Sequence, residues 1–150
     1  MSLNPNLRLR RAARLIVLDA QSRVLMFRYD VPGRDPFWVT AGGECEPGES
    51  FEEAARRELL EETGIAADPG PQIAQLMPQF VTVEGELVQA DERFFRVRVD
   101  NTIIDTSRHT ALEQRLMTQH RWFTRSELAD WHEAVFPQAI LAMIDQDNDA

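Results

Sequence analysis

Apolar positions along the chain follow two different periods. Residues 14–18 and 24–28 are short, β-branched apolar runs on either side of Asp19-Ala20-Gln21-Ser22, and they predict two strands joined by a turn. Residues 29–36 hold two prolines and a glycine and read as a loop. Residues 37–40 read as a short extended piece, and 41–49 as a glycine-rich acidic loop. At Phe51 the period lengthens to that of a helix. Ser50 followed three residues later by Glu53 forms a capping-box pattern, and Gly64 supplies a left-handed stop, so a helix is predicted over 51–63. After the breaker cluster at 68–71, residues 72–83 and 87–99 predict strands around the turn Glu84-Gly85-Glu86. Residues 120–123 predict one more strand, with Trp122 and Phe123 in the core. Thr124 with Glu127 suggests a second capping box, and a last helix is expected to start near Pro137. Residues 1–7 read as a loose arm and 145–150 as a frayed tail of a single domain covering 1–150. Interleaved helices and strands predict an α/β (α+β) fold with a mixed sheet flanked by helices.

The helix carries an unusual charge pattern. Between Glu44 and Glu62 there are eight acidic residues and only two cations, Arg56 and Arg57. On a wheel of about 100° per residue, Phe51, Ala54, Ala55 and Leu59 define the buried stripe, and Glu58, Glu61 and Glu62 fall on the same side. Glu52, Glu53, Arg56 and Leu60 fall on the other, where Leu60 needs a cover that the pattern does not name. Glu52 and Glu53 are ordinary solvent acids favoured by the helix start. Three ionised carboxylates at the rim of a core repel one another and lose hydration. Arg57 alone does not balance them, whereas a divalent cation would. Oxygen-only donors point to Mg2+, with Mn2+ as a substitute, rather than zinc.

Composition narrows the remaining choices. The chain of 150 residues is 43% apolar, enough for a real core, and carries a net charge of −9. That acidity argues against binding to a nucleic-acid polymer. The longest apolar run near the start is far short of a membrane span or a secretory signal. Cys45 is the single cysteine, so no disulfide framework is implied and a cytoplasmic location is the default expectation. Every one of the 16 basic residues is arginine, which suits phosphate recognition but also follows from codon bias alone.

Gly43, then Glu49, then Arg57-Glu58-Leu59-Leu60-Glu61-Glu62-Thr63-Gly64-Ile65 resembles the Nudix box at each of its defined positions. The resemblance spans 23 residues, about a sixth of the chain, and implies a MutT-like α/β/α sandwich that hydrolyses a nucleoside diphosphate linked to another group. It implies that Glu58, Glu61 and Glu62 bind metal, joined by the main-chain carbonyl of Gly42. Arg57 would orient a glutamate, and Glu49 would pair within the loop and helix, with Gly43 and Gly64 as structural positions. Ala41 departs from the proline often found before the two glycines.

A carboxylate must also accept a proton from the attacking water. Glu61 or Glu58 on the box, or Glu113 on a later loop, are the candidates, with Asp91 and Glu92 weaker. Arg28 and Arg93 are candidate phosphate contacts and Trp38 a candidate base-stacking ring, although each type is also common as a plain surface or core residue. The expected partner is a small nucleotide. Nucleoside triphosphates, nucleotide sugars and damaged nucleotides all remain open, and a homodimer is compatible with the chain. Two other readings compete: a catalytically silent nucleotide-binding module, against which the intact glutamate set argues, and an isomerase of the isopentenyl-diphosphate type. Such isomerases rely on a reactive cysteine and histidine ligands, a pattern that Cys45 alone does not supply.

Overall fold

A computed structural model describes residues 3–145. Its strands are β1 (Arg8–Leu18), β2 (Val24–Tyr29), β3 (Phe37–Glu44), β4 (Gln72–Leu76), β5 (Gln79–Val81), β6 (Leu87–Arg98), β7 (Met117–Phe123) and β8 (Ala134–Phe136). The helices are α1 (Phe51–Thr63), α2 (Ala111–Leu116), α3 (Arg125–Ala129) and α4 (Ile140–Asp145). Among the described residues the strands join one mixed sheet in the order β4-β6-β1-β2-β3-β8, with β5 beside β6 and β7 beside β2. β1 runs parallel to β6 along its whole length, from Arg8 opposite Val88 to Leu18 opposite Arg98. Both long strands alternate between two buried faces, which is why they are rich in apolar residues on each side.

The two faces have separate cores. On one, Phe51, Ala54, Ala55 and Leu59 of α1 pack on Leu15, Val17 and Phe27 of the sheet. On the other, Leu128 of α3 and Ile140, Met143 and Ile144 of α4 cover Ile16, Leu18, Met26 and Phe94. The result is helix, sheet, helix. Each large side chain buried there contributes about 1.5–3 kcal/mol.

The helix α1 runs over the expected residues. The Ser50 side chain accepts from the Glu53 amide, the Glu53 side chain accepts from the Ser50 amide, and Gly64 closes the helix at φ 78°. Leu60, outward on the wheel, is half-buried and lines a shallow groove with Arg56, Ala66, Ala67 and Asp68.

Elsewhere the expectations need correction. Residues 41–44 are not loop but the second half of β3, with Ala41 to Glu44 paired to Leu15 to Ala12 of β1. Two glycines in succession hide a strand from a pattern of side chains. The expected strand 72–83 divides at Met77-Pro78. Proline cannot donate to the ladder, and its carbonyl instead accepts from Ala90 N–H at 2.8 Å. β1 begins at Arg8 rather than residue 14, because arginines at 8, 10 and 14 alternate with the apolar positions and find carboxylates on neighbouring strands. β7 begins at Met117 rather than 120, β8 was not expected, and α4 starts at Ile140, after a turn in which Pro137 O accepts from Ile140 N–H. The short helix α2 was also not expected. Residues 3–7 precede the first strand, as an arm should. Of the expected frayed tail, Asp145 ends α4, and 146–150 lie outside the described residues.

Candidate active site

The site is assembled at the seam between β3, α1 and the segment that leads into α2. Gly43 has no side chain because the Glu58 carboxylate occupies that space: a Cβ there would lie 2.6 Å from Glu58 Oε2. Gly42 donates its N–H to Glu62 Oε1 at 2.9 Å. The second half of β3 thus serves as a bare backbone surface against which two glutamates of α1 rest.

Arg57 organises the other side. Its guanidinium donates to both oxygens of Glu49 (2.8 and 2.9 Å), to Glu58 Oε1 at 2.6 Å, to Glu61 Oε1 at 3.0 Å and to the Glu44 carbonyl at 3.0 Å. One planar fork therefore ties the strand end, the 45–49 loop and the helix together. The fork–fork pair holds Glu49 below the usual carboxylate range, chiefly through the Arg57 hydrogen bonds.

The C-terminus of α1 supplies the last component. Its final carbonyls need donors. Asp105 N–H donates to Thr63 O at 3.0 Å, and His109 Nε2 donates to Glu62 O at 2.8 Å. These bonds dock residues 105–109 against the helix end. Thr110 then caps α2 in a reciprocal box with Glu113. The half-buried Glu113 arrives beside Glu62, near enough to help raise its pKa. The half-buried Tyr29 lies close enough that Glu62 and Glu113 raise its pKa further, after burial itself.

Glu58 and Glu62 are 7% and 3% exposed, whereas the Glu61 side chain is 42% exposed. Burial pushes the Glu62 carboxyl well above its ordinary value, reinforced by Glu113 and Glu58 and opposed by the Gly42 N–H. Burial raises Glu58 as well, against the pull of Arg57. Glu58 and Glu62 thus stand where a carboxylate is costly to keep ionised. No three acidic, histidine or cysteine side chains among the described residues close on one point as they stand. Arg57 draws Glu58 and Glu61 to itself, while Glu62 turns to the Gly42 N–H and lies beside Glu113. The donor chemistry nonetheless fits a hard divalent cation, which takes carboxylate oxygens. Glu58, Glu61 and Glu62, with main-chain oxygen from the Gly42 region, are the residues that could hold it.

Three candidates from the sequence lie elsewhere. Trp38 is 1% exposed within the second core, edge-on to Phe123 and Trp131, so no ring face is open to a base. Its Nε1–H donates to Glu133 at 2.7 Å. Arg28 is clasped by both oxygens of the same Glu133 (3.1 and 2.9 Å) and donates to Thr118. Arg93 is engaged by Asp91 at 3.2 Å and lies 4.0 Å over the Phe51 ring, at the start of α1 rather than among its glutamates. Cys45, half-buried, has its pKa raised by desolvation and is not an activated thiol.

Sequence reasoning missed Tyr29, His109 and Glu133 as neighbours of these groups. Thr110 and Glu113 carry the same box spacing as Ser50 and Glu53, a signal that could have found α2 and fixed the direction of Glu113.

Residues 8–142 match the family model of the NUDIX domain. The chain belongs to the NUDIX family. A MutT protein from Methanosarcina mazei Go1 has the same fold, with a TM-score of 0.74 at 18% identity over 98% of this chain and 100% of that one. A NUDIX relative from Bacillus subtilis (strain 168), provisionally named 8-oxo-dGTP diphosphatase, is 48% identical over 53 residues, 35% of this chain and 33% of its own. The oxidized purine nucleoside triphosphate hydrolase of Danio rerio is 41% identical over 59 residues, 39% of this chain and 36% of its own. The chain spans about a third of the length of the curated relatives it matches.

Proposed function

We propose that this NUDIX protein is a cytoplasmic hydrolase that cleaves a phosphoanhydride bond of a small nucleotide, with Mg2+ at the glutamates of α1. The observation that carries the reading is the placing of Glu58 and Glu61 on Arg57 and of Glu62 beside Glu113, all at the one seam between β3, α1 and α2. Bound there, the cation would neutralise phosphate charge and lower the pKa of a water. Glu113 is the group best suited to accept the water's proton: it comes from a separate segment, it is only half buried, and it lies beside Glu62. Arg57 acts as a positioning residue that keeps Glu58 and Glu61 aligned with the substrate side of the helix.

Among nucleotides, oxidised purine nucleoside triphosphates are the favoured substrates. The names of the two curated relatives support that class, and their matched segments are short enough that it stands as a proposal for this chain. A Mg2+-dependent panel of nucleoside triphosphates, oxidised nucleotides, ADP-ribose, nucleotide sugars and dinucleoside polyphosphates tests it, with Glu62→Gln as the blank. Release of a nucleoside monophosphate from 8-oxo-dGTP, abolished in Glu62→Gln, is the expected result. Hydrolysis restricted to another class would overturn the substrate assignment. Silence across the panel from a folded protein would favour a binding module.

A further inference from the structure

We propose that Arg10 is a specificity-determining residue on the sheet face opposite α1, where its guanidinium donates a hydrogen bond to a ring carbonyl oxygen of a purine. The inference rests on the nucleotide-hydrolase reading above and names how the base is read.

Alternation along β1 places Arg8, Arg10 and Arg14 on the face that further along carries Ile16 and Leu18. The core beneath α3 and α4 takes in Ile16 and Leu18 and stops there. The arginine end of the face is built differently. Arg8 pairs with Glu44 at 2.7 Å and with Glu86 at 3.1 Å. Arg14 reaches Glu92 at 3.4 Å and the Thr40 carbonyl at 3.3 Å. Arg10 approaches a carboxylate only through Nε, 3.6 Å from Glu44. Its Nη1 is buried and has no hydrogen-bond partner among the described residues. Burial, helped by Arg14, lowers the pKa of this guanidinium. A guanidinium with an idle N–H in a dry setting gains by receiving an acceptor.

Charge decides which acceptor. Three arginines here meet three glutamates, so the patch is already balanced. A phosphate would bring further negative charge against Glu44, Glu86 and Glu92. A neutral carbonyl oxygen satisfies the same N–H without that repulsion. The surroundings suit a flat ring as well: the Phe80 ring centroid lies 5.8 Å from Arg10 Cζ, and half-buried Leu76 sits in register with Glu92. The loop between β2 and β3 reaches the same segment. Arg34 donates to the carbonyls of Val81 (3.1 Å) and Thr82, the two residues that follow Phe80.

Calorimetric titration of the metal-free protein tests the assignment without turnover. The ligands are 8-oxo-dGMP and dGMP, which carry ring carbonyls, dAMP, which carries none, and pyrophosphate. Wild type is expected to favour the carbonyl purines over dAMP. Arg10→Met is expected to weaken them about 10-fold (~1.4 kcal/mol) and to leave dAMP and pyrophosphate within about twofold, on the scale set by one hydrogen bond to a charged group. Arg10→Lys, which keeps charge but loses the planar fork, should recover only part of the loss. Equal weakening of all four ligands, no weakening of the carbonyl purines, or a wild type that does not distinguish them would each overturn the proposal. Should Arg10→Met fail to fold, side-chain 15N spectra of wild type decide instead. The Arg10 guanidinium resonance is expected to move on adding 8-oxo-dGMP and not dAMP, and an unmoved resonance overturns it. The hydrolysis panel bears on the nucleotide reading alone. A protein that turns over nucleotides while Arg10→Met discriminates like wild type keeps that reading and loses this one.

Discussion

Adjacent glycines in β3 should respond to the same substitution in opposite ways. A methyl at Gly42 would lie 2.2 Å from the carbonyl oxygen of Ala13 and 2.8 Å from Arg14 Cα, both backbone atoms of β1, and the residue sits at φ +135°. The strained dihedral costs an L-residue about 1–3 kcal/mol, and pushing β1 aside costs about 1–3 kcal/mol more. Gly42→Ala is therefore expected to lose roughly 2–6 kcal/mol, a large part of the 5–15 kcal/mol typical of a domain. A methyl at Gly43 would instead meet the end of a flexible side chain, Glu58 Oε2 at 2.6 Å and Cδ at 2.8 Å. The carboxylate can swing away, giving up its 2.6 Å bond to Arg57. That loss is expected to cost no more than about 2 kcal/mol, because the freed groups regain water. The displaced carboxylate is a proposed metal ligand, so turnover should fall about 100-fold, the scale of a misplacement near 1 Å. Urea midpoints followed by tryptophan fluorescence, with Mg2+-dependent kcat on the same preparations, separate the two effects. Wild-type turnover in Gly43→Ala, or equal stability loss in both variants, would refute this account of β3.

Glu62→Gln should reduce turnover more than about 100-fold, whereas Glu52→Gln on the solvent side of α1 should be nearly silent in the same assay. Replacing Arg57 with lysine keeps a positive charge but cannot hold Glu49 by both oxygens and reach Glu58 and Glu61 together. A fall in kcat of about 10–100-fold, the usual cost of losing a ligand's supporting partner, with little change in thermal midpoint, is expected. Glu133 is held down to about 2, first by Arg28 and then by Trp38 Nε1–H. Its folded value lies below the unfolded value of about 4.3. The stabilisation is therefore complete above that unfolded value and is lost as pH falls towards the folded one. Urea midpoints measured from pH 6 to 2 should show a shallower acid slope in Glu133→Gln than in wild type; identical slopes would count against the clasp.

The helix was legible because its signals are local: a cap, a stop and a wheel, all within 15 residues of one another. The wheel also separated Glu58 and Glu62, which are buried, from Glu52 and Glu53, which are not. What failed was non-local. Ala41 to Glu44 form a strand because β1 lies alongside, and no feature of Gly42-Gly43 itself announces a partner. Trp38 looked available to a ligand because an aromatic in a short extended piece, Phe37-Trp38-Val39, carries no sign of which face it takes. Its burial is decided by Phe123 and Trp131, more than 80 positions away. Arg28 looked free for phosphate for the same reason, since Glu133 reaches it only through the pairing of β3 with β8 and of β2 with β7.

The glycine pair also explains how charge on one face of the sheet is supported from the other. Burial by itself would lower the pKa of Arg14, yet the attraction of Glu92, Glu62 and Glu58 outweighs it and raises the value. Glu92 shares a face with Arg14, while Glu62 and Glu58 belong to α1 on the opposite side. Between them lies the backbone of Gly42, whose N–H binds Glu62 and whose missing Cβ would fall 3.0 Å from Arg14 Cδ. A side chain at that position would separate the charges by a further layer of atoms and weaken their attraction, which falls with distance and rises in a dry interior. Arg57 on the helix side and Arg14 on the far side therefore share the work of holding a surplus of carboxylates in a buried seam.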